Sequence, residues 1–261
     1  LTIIDPSTTD ADVLNATVLG GDWAAGSVIS GIETINLNML VPGNAFSAAA
    51  KTPNTSTFGF TGTADHAAIS DLPAAATIKF DAAASNDIIG TLSTTGAFNV
   101  ALNGSGVAPA AATLGAGAPT VPTLSMTNGT TSTVTVTGTS YLGTQAGSFF
   151  GDATKAATIT GSGNLTISGT AATFGAQTGG ASATGYTGAL TLRPSATGSF
   201  DLSGTGTDTS AFIGVDAISL SQVSGWAGTI TLAATNGAAT TTVSSVQAIG
   251  ALNVTQAGSG L

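Results

Sequence analysis

Apolar residues in this chain alternate with threonine, serine or asparagine in short runs, and that period of two constrains the fold more than any other feature. Thr34-Ile35-Asn36-Leu37-Asn38 alternates cleanly, as do Thr57–Thr61, Thr77–Asp81 and Ala97–Val100. The pattern returns at Ser132–Thr137, Asn164–Ser168, Ala189–Leu192, Ser199–Ser203, Ala217–Leu220, Gly228–Leu232 and Leu252–Thr255. Side chains two apart share one face of an extended strand, so each run has an apolar face and a polar face. Threonine suits the outer face because its branched Cβ favours extended backbone.

Turn chemistry separates the runs. Gly20-Gly21-Asp22, Asn103-Gly104-Ser105-Gly106, Asn128-Gly129, Gly161-Ser162-Gly163-Asn164, Gly179-Gly180 and Gly204-Thr205-Gly206 all supply positive φ at little cost. Asn128-Gly129, between two alternating runs, predicts a tight hairpin. Alanine-rich stretches at Phe46–Ala50, Pro73–Ala76, Asp81–Ala84 and Pro109–Ala112 predict one or two short helical turns, best placed at Asp65–Ala76. Pro109, Pro119 and Pro122 make 107–122 a long loop and the natural internal boundary between a β-rich part at 1–106 and another at 123–261, unless the whole is one continuous domain.

Strand centres recur every 10 to 25 residues or so, which fits a solenoid or a sandwich. The expected fold is all-β: a parallel β-solenoid or β-rich surface-layer domain, with tandem antiparallel β-sandwiches as the alternative. A solenoid accounts for the uniformly short strands and for a core that alanine and valine can fill. A disordered low-complexity chain is excluded by the strand-spaced valine, isoleucine, leucine and phenylalanine.

Composition narrows the function. Charged residues are 7% of the 261, against about 25% in ordinary soluble domains. The 13 acids and 4 bases leave a net charge of −9. Lys51, Lys79, Lys155 and Arg193 are too few and too scattered to neutralise phosphate, which argues against nucleic acid and against an anionic membrane surface. A cationic partner, calcium above all, is favoured. Without cysteine there is no disulfide, thiol nucleophile or thiolate metal site. No apolar run approaches the 18 or so residues of a membrane span. A start at Leu1, with no signal peptide, reads as a processed or partial product.

One unit occurs twice. Val28-Ile-Ser-Gly-Ile-Glu-Thr-Ile-Asn-Leu37 is echoed by Ala211-Phe-Ile-Gly-Val-Asp-Ala-Ile-Ser-Leu220. Gly31 aligns with Gly214, Glu33 with Asp216, and Ile35 with Ile218. A glycine, an apolar residue, an acid and an alternating strand make a turn-into-strand module, which points to a built scaffold.

Together with Asp12-Val13-Leu14-Asn15, the first copy resembles the repeat language of large secreted bacterial surface proteins. There an Asp-x-Leu-Asn strand leads to a Gly-Ile/Val-Glu-x-Ile/Val-Asn-Leu/Val strand. Composition also resembles that of surface-layer (S-layer) proteins of the calcium-dependent, type I-secreted class. The resemblance implies β-solenoid architecture, calcium in acidic turns and lateral assembly on the cell surface. The family's calcium nonapeptide, Gly-Gly-x-Gly-x-Asp-x-apolar-x, does not occur here; Gly20-Gly21-Asp22-Trp23 is a fragment of it.

Calcium takes six to eight oxygens, including carboxylates and carbonyls. The acid clusters that fit are Asp5, Asp10 and Asp12; Asp81 and Asp87 with Asn86; and Asp201, Asp208 and Asp216. Each would otherwise solvate a turn. His66, beside Asp65, is the one histidine, and no Gly-x-Ser-x-Gly elbow accompanies it, so a serine triad is not expected. Acid pairs could serve a polysaccharide hydrolase, but Trp23, Trp226, Tyr141 and Tyr186 are few for a carbohydrate cleft. Asn-x-Ser/Thr sequons, as at Asn15 and Asn164, follow from the abundance of serine and threonine.

No catalytic residue is assigned and no enzyme is expected. The reading is a structural, self-assembling protein of the bacterial exterior: a surface layer, sheath or filament subunit, extracellular, with itself as partner. Cell-surface polysaccharide is a further partner, and an adhesin or carbohydrate-binding stalk is the alternative. A surface this poor in charge is weakly protected against association, which in a lattice is an asset.

Overall fold

In the computed structural model the chain is all-β, and its strands stack in parallel into a β-solenoid. The structure describes residues 1–7, 9–19, 26–41, 45–47, 51–62, 67–81, 87–106, 122–143, 156–169, 181–182, 186–188, 190–194, 199–201, 212–213, 217–220, 229–235, 240–243 and 251–257, with backbone alone beyond 188. In chain order the strands are β1 (Thr2–Ile4), β2 (Val13–Val18), β3 (Val28–Ser30), β4 (Thr34–Met39), β5 (Ala45–Ser47), β6 (Thr57–Phe60), β7 (Ala67–Leu72), β8 (Thr77–Asp81), β9 (Asp87–Asn103), β10 (Thr123–Val136) and β11 (Ser140–Gly143). They continue as β12 (Ala156–Gly161), β13 (Leu165–Gly169), β14 (Ala181–Ser182), β15 (Leu190–Pro194), β16 (Ser199–Asp201), β17 (Phe212–Ile213), β18 (Ala217–Leu220), β19 (Thr229–Thr235), β20 (Thr240–Val243) and β21 (Ala251–Ala257).

Two columns carry the stack. The first runs β2, β4, β6, β8, the second half of β9, the second half of β10, then β12, β14 and β17. The second runs β5, β7, the first halves of β9 and β10, then β11, β13, β15, β18 and β20. Shorter ladders join β1 to β3 and β16 to β19 and β21. Every one of these pairs is parallel, which rules out antiparallel sandwiches for the described strands. β9 and β10, on either side of 107–122, pair in parallel over both halves; residues 107–121 themselves lie outside the described residues.

The core lies between the columns. Ile35, Leu37, Phe58, Phe60, Ile78, Phe80, Phe98, Val100, Val134 and Ile159 are all buried inward positions of the first column. Ile69, Leu72, Ile88, Leu124, Leu142, Leu165 and Ile167 face them from the second. Phe46 meets Phe58 across the gap at 6.3 Å between ring centroids, and Phe60 lies 6.0 Å from Phe80 along the first column. Each such side chain contributes about 1.5–3 kcal/mol through burial. Polar outer residues form ladders of their own: Asn36 donates to Asn15 at 2.8 Å, and the Thr135 and Thr160 hydroxyls meet at 3.2 Å.

Two corners shape the described middle coils, from β7 to Gly188. From the first column to the second the chain turns at Gly104, Gly138, Gly163 and Gly188, stacked one on the next. A Cβ on Gly138 would lie 2.6 Å from the Gly104 nitrogen, and one on Gly163 would strike the Gly138 carbonyl oxygen. Ser140 staples this corner: its Oγ accepts from Gly104 N–H at 3.1 Å and donates to the Gly138 carbonyl at 3.1 Å.

The opposite corner corrects two expectations. Asp65–Ala76 is not helical in its described part. Residues 67–72 form β7, and a turn closed by Ala76 N–H to the Pro73 carbonyl at 3.1 Å follows. Parallel pairing on both sides satisfies the β7 backbone, and Ile69 and Leu72 are buried, which outweighs the helix propensity of alanine. Nor is Asn128-Gly129 a hairpin. Asn128 takes φ 65°, and its amide donates to the Leu92 carbonyl one coil away at 3.1 Å. The chain bends there from one column into the other and keeps its direction of pairing. Among the described residues there is no helix.

Candidate functional site

The acids at 5, 10 and 12 sit on the turn between β1 and β2, in the first coil. What holds that turn is Gly31, at φ +76° in the turn from β3 into β4. A Cβ at Gly31 would strike the Asp5 carbonyl oxygen and lie 2.6 Å from that of Ser7. Only glycine permits this approach. Asp5 N–H donates to the Ser30 carbonyl at 2.9 Å, and Asp5 Oδ1 accepts from Ser7 N–H at 2.6 Å. Asn54 Oδ1, one coil further on, accepts from Ser30 Oγ at 3.0 Å.

Carboxylate oxygens of Asp5, Asp10 and Asp12 lie within 4.8 Å of one another, with Asp10 exposed and the other two partly buried. Their mutual effect is visible at Asp12. A hydrogen bond with Asp5, then the charge of Asp10, partial desolvation and the charges of Asp5 and Glu33 raise its carboxyl above the ordinary aspartate range. Glu33 belongs to this neighbourhood: its Oε2 accepts from Asp12 N–H at 3.0 Å, while its Oε1 is buried without a hydrogen-bond partner. The donor set is oxygen only and anionic, the chemistry of a hard cation. Three carboxylates can supply part of a calcium shell, with water and neighbouring carbonyls for the rest.

Comparison with protein-family models, with curated proteins and with solved structures gives no match.

Of the other predicted acids whose side chains are described, Asp81 is not brought to this turn. Asp81 closes β8 and pairs with Lys79 at 3.1 Å. Asp87 opens β9 and Asp201 closes β16, with side chains outside the described residues; Asn86, Asp208 and Asp216 lie outside them altogether. So do Asp65, His66, Trp23 and Trp226. Tyr186 is buried, and its hydroxyl donates to the Gly163 carbonyl.

Sequence reasoning placed Glu33 in the repeated unit but not in the site. The available signal was the module itself, glycine then apolar then acid. Gly31 makes the close turn, Ile32 is buried, and Glu33 reaches back to the coil before. In the echo, Gly214, Val215 and Asp216 lie outside the described residues. Ala217–Leu220 is a strand of the second column, whereas Thr34–Met39 belongs to the first.

Proposed function

We propose that this chain is a structural, self-assembling protein of the bacterial exterior, a subunit of a surface layer, sheath or filament, in the manner of the calcium-dependent, type I-secreted S-layer proteins that its sequence resembles. The observation that carries this reading is the continuous parallel stack, whose interior is filled by side chains such as Phe58, Phe60 and Phe80. A solenoid stacks one coil on the next, and such repetition suits a scaffold. Among the described residues, outward positions include an asparagine ladder, Asn36 on Asn15, and a threonine ladder, Thr135 on Thr160, and a chain with only 7% charged residues has little charge to oppose association.

In this reading Asp5, Asp10 and Asp12 bind calcium in the first coil, with Glu33 beside them. Occupation would cancel the like-charge repulsion and fix the turn that joins β1 to β2. The chain would work outside the cell, with further copies of itself as partner, attached to cell-surface polysaccharide, and without catalysis.

Negative-stain electron microscopy of the purified chain tests this, first with calcium and then with chelator. Ordered sheets or filaments that dissolve in chelator are the expected result. Assemblies indifferent to chelator would keep the structural role and remove the calcium requirement. Monodisperse particles in both conditions would overturn the lattice reading in favour of an adhesin stalk.

A further inference from the structure

Asn-Gly pairs occur at 103–104, 128–129 and 236–237, the last outside the described residues. They carry a chemistry that the scaffold does not use. The main-chain nitrogen after an asparagine can attack that residue's own side-chain carbonyl carbon. Glycine in the second place has no Cβ to hinder the approach and adopts backbone conformations closed to other residues. In the folded chain the outcome depends on how the two groups that must meet are held.

Asn103-Gly104 is held at both groups. The Gly104 N–H donates to Ser140 Oγ at 3.1 Å, and Asn103 Oδ1 accepts from the Thr137 hydroxyl at 3.2 Å. Gly104 is also packed into the stacked corner against Gly138. Asn128-Gly129 lies where the ladder is irregular. Thr127 pairs with Thr91, Gly129 with Gly96 and Thr131 with Ala97, so the register with β9 shifts on both sides of the nitrogen that would attack. Asn128 is exposed, at φ 65°, and its Nδ2 donates to the Leu92 carbonyl at 3.1 Å.

We propose that Asn128 is a site of spontaneous deamidation, at which the corner between the two columns ages, and that Ser140 protects Asn103 from the same reaction. The Gly129 nitrogen bonds to Asn128 Cγ and gives up its proton. The Cγ–Nδ2 bond breaks, and the leaving nitrogen takes up a proton and departs as ammonia. Water then opens the cyclic imide at either carbonyl, giving aspartate or isoaspartate. Aspartate puts an acceptor where Nδ2 donated to the Leu92 carbonyl, and that carbonyl loses its partner. Isoaspartate also lengthens the main chain by one carbon at the bend. Either product loosens β10 from β9 there.

Peptide mapping by mass spectrometry, with fragmentation to assign the site, follows the folded chain during incubation at mildly alkaline pH. Asn128 should convert about tenfold faster than Asn103, the factor that corresponds to one hydrogen bond of about 1.4 kcal/mol. Ser140→Ala releases the Gly104 N–H and should bring Asn103 towards the rate of Asn128. In urea the two sites should convert at similar rates, which separates the effect of the fold from the reactivity of the pair. Equal rates in the folded wild type, or faster conversion at Asn103, overturn the proposal. So does a folded chain in which neither site converts while both do in urea. Asn103 that stays slow in a folded Ser140→Ala variant overturns the protection by Ser140, and the wild-type comparison stands on its own if that variant does not fold.

Discussion

Tyr186 donates its phenolic proton to the carbonyl oxygen of Gly163 at 2.6 Å, across one coil of the stack. Burial pushes this phenol up to about 12, against the smaller opposing effect of a hydrogen bond with the Leu165 backbone. Between the unfolded value of about 10 and that figure, the folded chain holds a proton that the unfolded chain has lost. The contribution of the buried, neutral phenol is therefore complete below pH 10 or so and is lost as pH rises towards 12. Tyr186→Phe should cost about 1–2 kcal/mol at neutral pH, because the Gly163 carbonyl loses its partner. Urea denaturation of both forms from pH 8 to 11 checks this, and the difference should shrink at the alkaline end.

Gly163 also tests the corner. Its missing Cβ leaves room for the Gly138 backbone, whose nitrogen would lie 2.7 Å from it. The obstacle is backbone, so no side chain can swing away. Gly163→Ala should destabilise by about 1–3 kcal/mol, the range for overpacking. The thermal midpoint of the variant is the measurement, and an unchanged midpoint would contradict the stacked glycines.

The strands were legible because their inward positions are buried. Thr34–Asn38 in the sequence became Thr34–Met39 in the fold, with Ile35 and Leu37 fully covered. Alternation alone did not give the direction of pairing, since it serves parallel and antiparallel ladders alike; the uniformly short strands and the small core favoured the parallel solenoid, which the fold bears out. Asn128-Gly129 misled all the same: the local turn chemistry was correct, but a positive φ can bend a strand between columns as well as reverse it. Asp65–Ala76 misled because alanine propensity is a local term and the pairing of Ala67–Leu72 is not. The acids at 5, 10 and 12 were legible as a group because one short turn carries them. Glu33 was not, since it arrives from 21 residues away.

Phe80 is fully buried in the first column, against Phe60. Phe80→Ala should cost about 3–5 kcal/mol by leaving a cavity between coils. Phe80→Leu should cost much less, because most of the volume remains. Denaturant midpoints for the two variants separate a packed core from one loose enough to collapse around the gap.

Asp12 decides whether the acid turn is more than a solvated bend. Its carboxyl is raised in the folded chain, so the proton it keeps stabilises the fold below the ordinary aspartate value of about 3.9. That contribution is lost as pH rises through the folded value. In chelator, then, stability should fall as Asp12 ionises, and Asp12→Asn should flatten that fall and raise the thermal midpoint at neutral pH. Calcium should reverse the order. A ligand at 100 times its dissociation constant adds about 2.7 kcal/mol to a site that binds only the folded chain, and Asp12→Asn should forfeit most of it. Asp81→Asn serves as control, because Asp81 is engaged with Lys79 instead. Thermal midpoints with calcium and with chelator, for wild type and both variants, give the answer. Equal calcium responses in wild type and Asp12→Asn would remove the metal from this turn.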